Sequence, residues 1–559
     1  MPNPEVNDST DLAFFNKKII ELCTSSNLLI SPETLQFINQ KRYPLDFIQK
    51  TIAEIANSEK KPLVLTKDIL EKILQQKSLL TESSVPISQE IEHSPPSISK
   101  ETPELMPKPA EEPTEITTPS VSSTDHISPF AAADIPEDIV ILKDPTGLML
   151  GEGKIGDMRA YSKDKFKKLR SLLFKRPDCK GAISIEQAKS RANSAENKVR
   201  VIGMILNRKE MSAKSKSKLN DTTSNSISIE LDDLESSMTV IFSGKNDELI
   251  KKAARITTDQ VICIEGFVSE NGVLIASDCF WSEVPFHPMK AHDIPPISAI
   301  FISDTHFGSK YFLTDKFEAF LEWLQGRTGS ELQKALAKSV KYIIIAGDLI
   351  EGIGVYPDQE KNLAIIDISE QYDFAAKYLK RIPNHIKIII IPGGPHDAVR
   401  KAYPQPALGK KYASALYSLN NVILLGNPAQ LTIHGVNILV FHGDSLDDLV
   451  QVIPGLSYEK PAEIMKELVV SRHLTPIYGY STWIAPEKED WMVIDEIPEI
   501  MHCGHTHVSD FKQYRGVILL NSGTFQGETD YQQSLGVKPT PGKIPIVNLQ
   551  NMKVKFLQF

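Results

Sequence analysis

Five short apolar runs, each ending at a residue that can hold a proton or a metal, constrain this chain more than any other feature. Ile297 to Ile302 leads into Asp304-Thr305-His306, and Tyr342 to Ala346 into Gly347-Asp348. Ile386 to Ile391 precedes Gly394-Pro395-His396-Asp397, Ile438 to Phe441 precedes His442-Gly443-Asp444, and, less cleanly, Ile497 to Met501 precedes Gly504-His505-Thr506-His507. Short runs rich in Ile and Val and bounded by Gly or Pro read as buried strands. Sheets with helices on their faces place their chemistry just past the carboxyl ends of the strands, so the five fragments are expected to converge on one pocket. Carboxylates and imidazoles gathered there read as a metal site.

A single Asp-x-His or His-x-His means little, because a lone histidine is more often a hydrogen-bonded core or surface residue. The order carries the information. Asp-x-His, then Gly-Asp, then Gly-x-His-Asp, then an apolar strand ending in His-Gly, then Gly-His-x-His resembles the calcineurin-like metallophosphoesterases from residue 297 to about 530. The resemblance implies two divalent ions, manganese with magnesium as the alternative. Asp304, His306 and His507 would hold the first, His442 and His505 would belong to the second, and Asp348 would bridge them. His396 would stabilise or protonate the transition state, oriented by Asp397.

Pro395 departs from that pattern. The resemblance implies an asparagine there, whose amide oxygen ligates the second ion, and no Asn lies between Ile386 and Leu419. The second ion is then expected to keep three protein ligands, with water completing its shell and weaker binding as the consequence.

Further segments narrow the family. Asp397-Ala398-Val399-Arg400, His442 to Asp448, Arg472 to Gly479, Tyr514 to Val517 running to Asn521-Ser522-Gly523-Thr524-Phe525-Gln526, and Pro539 to Pro545 resemble the small subunits of archaeal family D DNA polymerase. That resemblance implies a 3′–5′ exonuclease acting on single-stranded or mismatched primer-template DNA, with polymerisation left to a large catalytic subunit. It leaves open whether the N-terminal module takes up the large subunit, a sliding clamp or another replication protein. Two rivals remain: a scaffold subunit with a degenerate metal site, favoured by Pro395 alone, and a stand-alone metallophosphatase, disfavoured by the barrel expected ahead of the pocket.

At 559 residues the chain calls for several domains. The reading is multidomain α+β. Residues 1–76 form a small helical interaction module, with Leu12, Phe15, Ile19 and Leu22 at helical spacing. Residues 77–134 form a disordered linker: Thr81 to Pro129 holds nine prolines and no aromatic residue, and so cannot bury enough surface to offset its ordering entropy. Residues 135–290 form an OB-fold barrel with an N-terminal extension, since five strand-like segments with a helix between the third and fourth give that order. Residues 291–559 form the phosphoesterase domain.

An OB barrel serves equally for single-stranded nucleic acid and for protein docking. The loop from Arg208 to Lys218, with Lys209, Lys214 and Lys216, suits phosphate contact but has no interleaved aromatics for stacking. The basic helix near Lys163 to Lys175 reads as a solvated face. A net charge of −9 argues against wholesale wrapping of DNA and leaves much of the grip to a partner. Five scattered cysteines without Cys-x-x-Cys argue for a reducing cytoplasm and against zinc fingers. No run is long enough to span a membrane, and Met1 to Glu5 do not begin a secretory signal.

Overall fold

The computed structural model describes residues 132–559 apart from 193–197, 214–223, 530–531 and 534–535, together with Ile19, Leu29–Ile30, Thr34, Ile38, Val64–Leu65 and Thr114–Ile116. Most of the expected helical module and linker lies outside the described residues, as do Lys214 and Lys216. The chain divides into Met1–Met106 and Pro107–Phe559. In the first unit Leu29–Ile30 pairs in parallel with Val64–Leu65, where helices alone were expected.

The second unit is built around two facing sheets. In the first, Val422–Leu424, Lys387–Ile391, Val340–Ala346 and Ser298–Ile302 run parallel, and Lys543–Asn548 and Lys553–Gln558 continue it antiparallel. The unbroken apolar character of these runs follows from burial on both faces. Ile300, Ile302, Ile343, Ile345, Ile388 and Ile390 point to the helices Thr314–Leu324, Glu331–Ser339 and Ile368–Leu379. Their alternates Ala299, Phe301, Tyr342, Ile344, Ile389 and Ile391 meet Leu431, Ile438, Val440, Ile518 and Leu520 of the second sheet.

That second sheet has the order Asp510–Tyr514, Val517–Asn521, Ile500–Cys503, Val436–Val440, Ala429–Ile433, Ile139–Lys143. Its outer face is covered by the helices Ser445–Val452 and Pro461–Ser471. Parallel neighbours within each sheet bring the carboxyl ends of their strands to one edge, which positions the ligand loops.

Two segments lie elsewhere than expected. Ile139–Lys143, expected in the extension of the barrel, is the edge strand of the second sheet, paired with Ala429–Ile433. An alternating pattern encodes which residues face inward, not which sheet supplies the neighbour. Thr114–Ile116, expected within a disordered linker, pairs antiparallel with Lys553–Gln558, because an open sheet edge supplies backbone partners to a segment with no core of its own.

Residues 198–280 form a closed five-stranded barrel: Lys198–Ala213, Ser224–Asp232, Ser237–Phe242, Leu274–Phe280 and Val261–Val268, returning to the first. Between the third and fourth strands in the chain lies the helix Asp247–Ala253, where Asn246 accepts a cap hydrogen bond from Leu249 N at 3.1 Å. The first strand extends through Arg208 and Lys209 to Ala213, so the start of the expected basic loop is paired strand. Its backbone finds partners on Ser224–Asp232, which overrides the polar composition.

The barrel docks on the helix Pro461–Ser471. Val470 joins the barrel core, and the Arg255 guanidinium holds the nearly buried carboxylate of Glu467 at 2.7 and 3.0 Å. The helix Ile155–Phe174 lays Phe166, Leu169 and Leu173 against Ile202, Met204, Val261 and Cys263 on the barrel exterior and against Val493. Two of its lysines point inward: buried Lys165 donates to Pro476 O at 3.1 Å, and Lys168 donates to Asp490 O at 3.1 Å and pairs with Asp164 at 2.9 Å. Both are spent on internal contacts.

Candidate metal centre

Each ligand loop leaves its strand by a sharp reversal. Asp304, His306, Asp348, His505 and His507 take φ of 50°, 49°, 50°, 67° and 59°. The left-handed region costs a side-chain-bearing residue about 1–3 kcal/mol and persists where surrounding structure enforces it, most often at functional sites. Close approach of the loops also demands glycine. A Cβ at Gly347 would lie 2.6 Å from Gly393 Cα and 2.7 Å from His442 Nδ1, and one at Gly393 would lie 2.2 Å from Asp348 Oδ1.

All six residues expected as ligands are brought together. Asp304, His306 and His507 form one set, Asp304, Asp348 and His442 a second, and His442 and His505 a third that includes Asp444; within each set the ligand atoms lie within 4.8 Å of one another. Asp348 Oδ2 is 3.7 Å from His306 Nε2 and 3.4 Å from His442 Nε2, so one oxygen faces both sides of the cluster. Asp348 Oδ1 is buried without a hydrogen-bond partner among the described residues. A buried carboxylate with one oxygen facing two imidazoles and the other left unpartnered is what a cation site requires, and the residues present fit two divalent ions.

Contacts behind the ligands fix which nitrogen each imidazole presents. His442 Nδ1 is 2.8 Å from Ala346 O, leaving Nε2 toward Asp348. His505 Nε2 is 3.0 Å from Asp447 Oδ2, leaving Nδ1 toward Asp444 Oδ1 at 3.3 Å. His306 Nδ1 is 3.0 Å from Glu351 Oε2, and Gln532 touches His507 Nδ1.

Carboxylates and imidazoles shift one another here. Burial alone would raise the Asp348 carboxyl, but His442, His396 and His306 hold it far below the usual carboxylate range. Burial would lower His306, yet Glu351, Asp348 and Asp304 lift it to about 9, and Asp447 and Asp444 do the same to His505.

His396 is half-buried at the mouth, its ring edge-on to His306 at 4.9 Å. Its Nδ1 is 2.7 Å from the Glu351 carbonyl, leaving Nε2 for proton transfer. Asp397, expected to orient it, does something else. Its carboxylate accepts from Gly393 N at 2.8 Å and Ile350 N at 3.1 Å, tying two ligand loops together. The imidazole that it was expected to orient is held at Nδ1 by the Glu351 carbonyl instead.

Glu351 escaped the sequence reading, and Asp444 and Asp447 stood in its His442 segment without an assigned role. Glu351 lies three residues after Asp348, while Asp444 and Asp447 follow His442 on the loop and first turn of the next helix. Their proximity in sequence to ligands was the available signal. Arg208 and Lys209 stand on the barrel, and Arg208 pairs with Glu210 at 2.7 Å; neither touches the metal centre among the described residues. His473 is spent on Asp490, 2.8 Å away and fully buried, which makes it structural. No helix among the described residues is long and apolar enough to cross a membrane.

Residues 299–512 match the family model for the B subunits of DNA polymerases alpha and epsilon. The chain is 41% identical over 417 residues to the DNA polymerase II small subunit of Methanothermobacter thermautotrophicus, covering 75% of this chain and 82% of that one. It is 36% identical to the protein of that name from Pyrococcus furiosus, covering 77% and 70%. With that from Halobacterium salinarum it shares 32% identity, covering 81% and 84%. Among solved structures, wild-type Vps29 from Entamoeba histolytica complexed with zinc aligns at 14% identity over 47% of this chain and 91% of that one, with a TM-score of 0.23, too low to bear on the site.

Proposed function

Since the chain belongs to the family of archaeal DNA polymerase II small subunits, we propose that it carries a two-metal 3′–5′ exonuclease that removes mismatched or single-stranded primer ends for a large polymerising subunit. The observation that carries this reading is Asp348 Oδ2, placed between His306 on one side and His442 on the other. Facing sheets with helices outside them and ligands on strand-end loops support a calcineurin-like phosphoesterase domain over residues 291–559. The closed barrel, with its helix after the third strand, supports the OB-fold reading over most of 135–290.

Two divalent ions, manganese or magnesium, would when bound clamp a phosphodiester, activate a water and neutralise charge on the leaving oxygen. Asp304, His306 and His507 would hold one and His442 and His505 the other, with Asp348 shared. The chain's own part is positioning and proton control. Glu351 fixes His306 through its carboxylate and His396 through its carbonyl, so His396 Nε2 can stabilise or protonate the departing oxygen. Asp397 locks the loops of Asp348 and His396 to each other.

The rim suits a single strand. Trp483 is 59% exposed with Lys401 Nζ 5.1 Å over its ring, and its carbonyl accepts from Tyr403 N. An aromatic face beside a cation is the pairing that holds unstacked bases. Arg208 and Lys209 on the barrel, together with Lys214 and Lys216 that follow them in the chain, would add phosphate contacts. The N-terminal module is left to bind the large subunit or a sliding clamp.

The deciding assay is degradation of a 3′-mismatched primer with manganese, by this chain together with its large partner, alongside His396→Ala and Asp348→Ala. Both variants are expected to lose cleavage. An inert wild-type complex would instead favour a scaffold subunit, the reading to which Pro395 lends support.

A further inference from the structure

Pro395 leaves the second metal position one protein ligand short, and the structure offers a replacement from another loop. The backbone around Pro395 is held in place. Gly393 N donates to Asp397, Gly394 N donates to Gln405 Oε1 at 3.3 Å, and Gln405 in turn accepts from Asn427 Nδ2 at 2.9 Å. Pro395 thus stands at the sequence position where the resemblance implies a ligating amide, and its side chain has no lone pair to give.

Facing that gap is Asp444. Its Oδ1 lies 3.3 Å from His505 Nδ1 and 3.7 Å from His442 Nε2, the ring nitrogens that Asp447 and the Ala346 carbonyl leave free. Its other oxygen accepts from the hydroxyl of buried Tyr403 at 2.8 Å, which sets the carboxylate plane. A Cβ built at Gly394, next to Pro395, would come within 3.7 Å of that oxygen. The carboxylate thus lies beside Gly394, the residue before the proline, while its free oxygen meets two imidazole nitrogens.

The nearby amide is no competitor. Asn427 donates to Pro392 O and Gln405 Oε1, and its own oxygen accepts from His442 N at 3.4 Å.

We propose that Asp444 is the fourth protein ligand of the second divalent ion, a carboxylate supplied from the His442 loop in place of the amide that Pro395 removed. This rests on the two-metal reading above. The second ion then has His442, His505, Asp348 and Asp444 around it, and the additional negative charge suits a hard divalent cation. The weakened site expected from Pro395 alone is restored. His505 and Asp444 are 25% and 21% exposed, against 3% for His306 and none for Asp304, so this ion is also the one nearer solvent.

The test is manganese binding to the full-length chain, followed by calorimetry and by the paramagnetic resonance of bound Mn²⁺, neither of which depends on nuclease activity. Wild type is expected to take two ions. Asp444→Ala is expected to keep one site unchanged, which shows the variant is folded, and to lose about tenfold or more in affinity at the other. Adding Pro395→Asn to Asp444→Ala is expected to recover the second site. Two undiminished sites in Asp444→Ala would overturn the assignment of Asp444 and leave the two-metal centre standing. A single wild-type site indifferent to Asp444 would also overturn it. A wild-type chain that binds no manganese would remove the two-metal reading itself.

Discussion

Nε2 of His306 lies 3.2 Å from Nε2 of His507, although 201 residues separate them in the chain. Two buried imidazoles nose to nose, with Asp304 Oδ1 3.4 Å from one and Asp348 Oδ2 3.7 Å from the other, are at rest only with a cation or a proton between them. A ligand that binds only the native state stabilises by mass action, about 2.7 kcal/mol at a hundredfold excess over Kd. Thermal unfolding with manganese at that excess is expected several degrees above unfolding in chelator. Coincident melts would count against these residues as ligands.

Asp397 acts by tying loops, not by orienting His396. Asp397→Ala leaves Gly393 N and Ile350 N without their acceptor, a loss on the order of 1–3 kcal/mol for each buried group left unpaired. Urea denaturation of the metal-free chain should show that loss, and manganese affinity should fall with it. An orienting residue would instead alter the pH profile of cleavage while leaving stability and metal affinity in place.

Arg255 and Glu467 join the barrel to the helix Pro461–Ser471. Glu467→Ala is expected to destabilise by about 1–2 kcal/mol, toward the low end for a charge-assisted pair because the Arg255 side chain is 32% exposed. Lys251→Ala, which breaks the exposed pair with Glu248, should give no measurable change. Equal effects from the two in urea denaturation would show that the barrel contact contributes nothing special.

His473 and Asp490 should make the chain acid-sensitive. Burial opposes ionisation of Asp490, but His473, Lys165 and the Met492 N–H bring its carboxyl down to about 2 from an ordinary 3.8. A depressed carboxyl contributes stability that is present above pH 4 and lost as pH falls toward 2, about 2 kcal/mol here. Burial also lowers His473, despite Asp490, so the unfolded chain takes up a proton below pH 6.5 that the folded chain resists. Both effects reduce stability as pH falls. Chemical denaturation from pH 7 to 3 should show stability falling in both windows, and Asp490→Asn should shift the loss toward the His473 window below pH 6.5, because the carboxylate that raises His473 is gone.

Much of the candidate site was legible because ligand chemistry is local in sequence. Asp304 and His306, or His505 and His507, share one short loop, and the apolar run before each announces a buried strand. The order of the fragments identified six residues that the structure brings together. Less legible were contacts whose partners come from elsewhere in the chain. Lys165 and Lys168 read as a solvated basic face, yet their ammonium groups reach carbonyls more than three hundred positions away. Asp397 is next to His396 in sequence, which suggested that it orients the imidazole, but its carboxylate is taken up by Gly393 N and Ile350 N and the imidazole by the Glu351 carbonyl.

Residue pattern alone dictated the buried strands of the two sheets and the gathering of imidazoles and carboxylates on the loops that follow them. Ile and Val on both faces cannot be exposed, and few chemistries call for imidazole and carboxylate at five strand ends. Three other outcomes waited on the folded chain: Ile139–Lys143 completes the second sheet, the Glu351 carbonyl holds His396, and Asp444 meets both His442 and His505. The physical reason is that periodicity records which face of an element is buried but not what lies against it. Which loops meet is set by sheet order and backbone curvature, and a ligand supplied across two loops becomes visible only when both are in place.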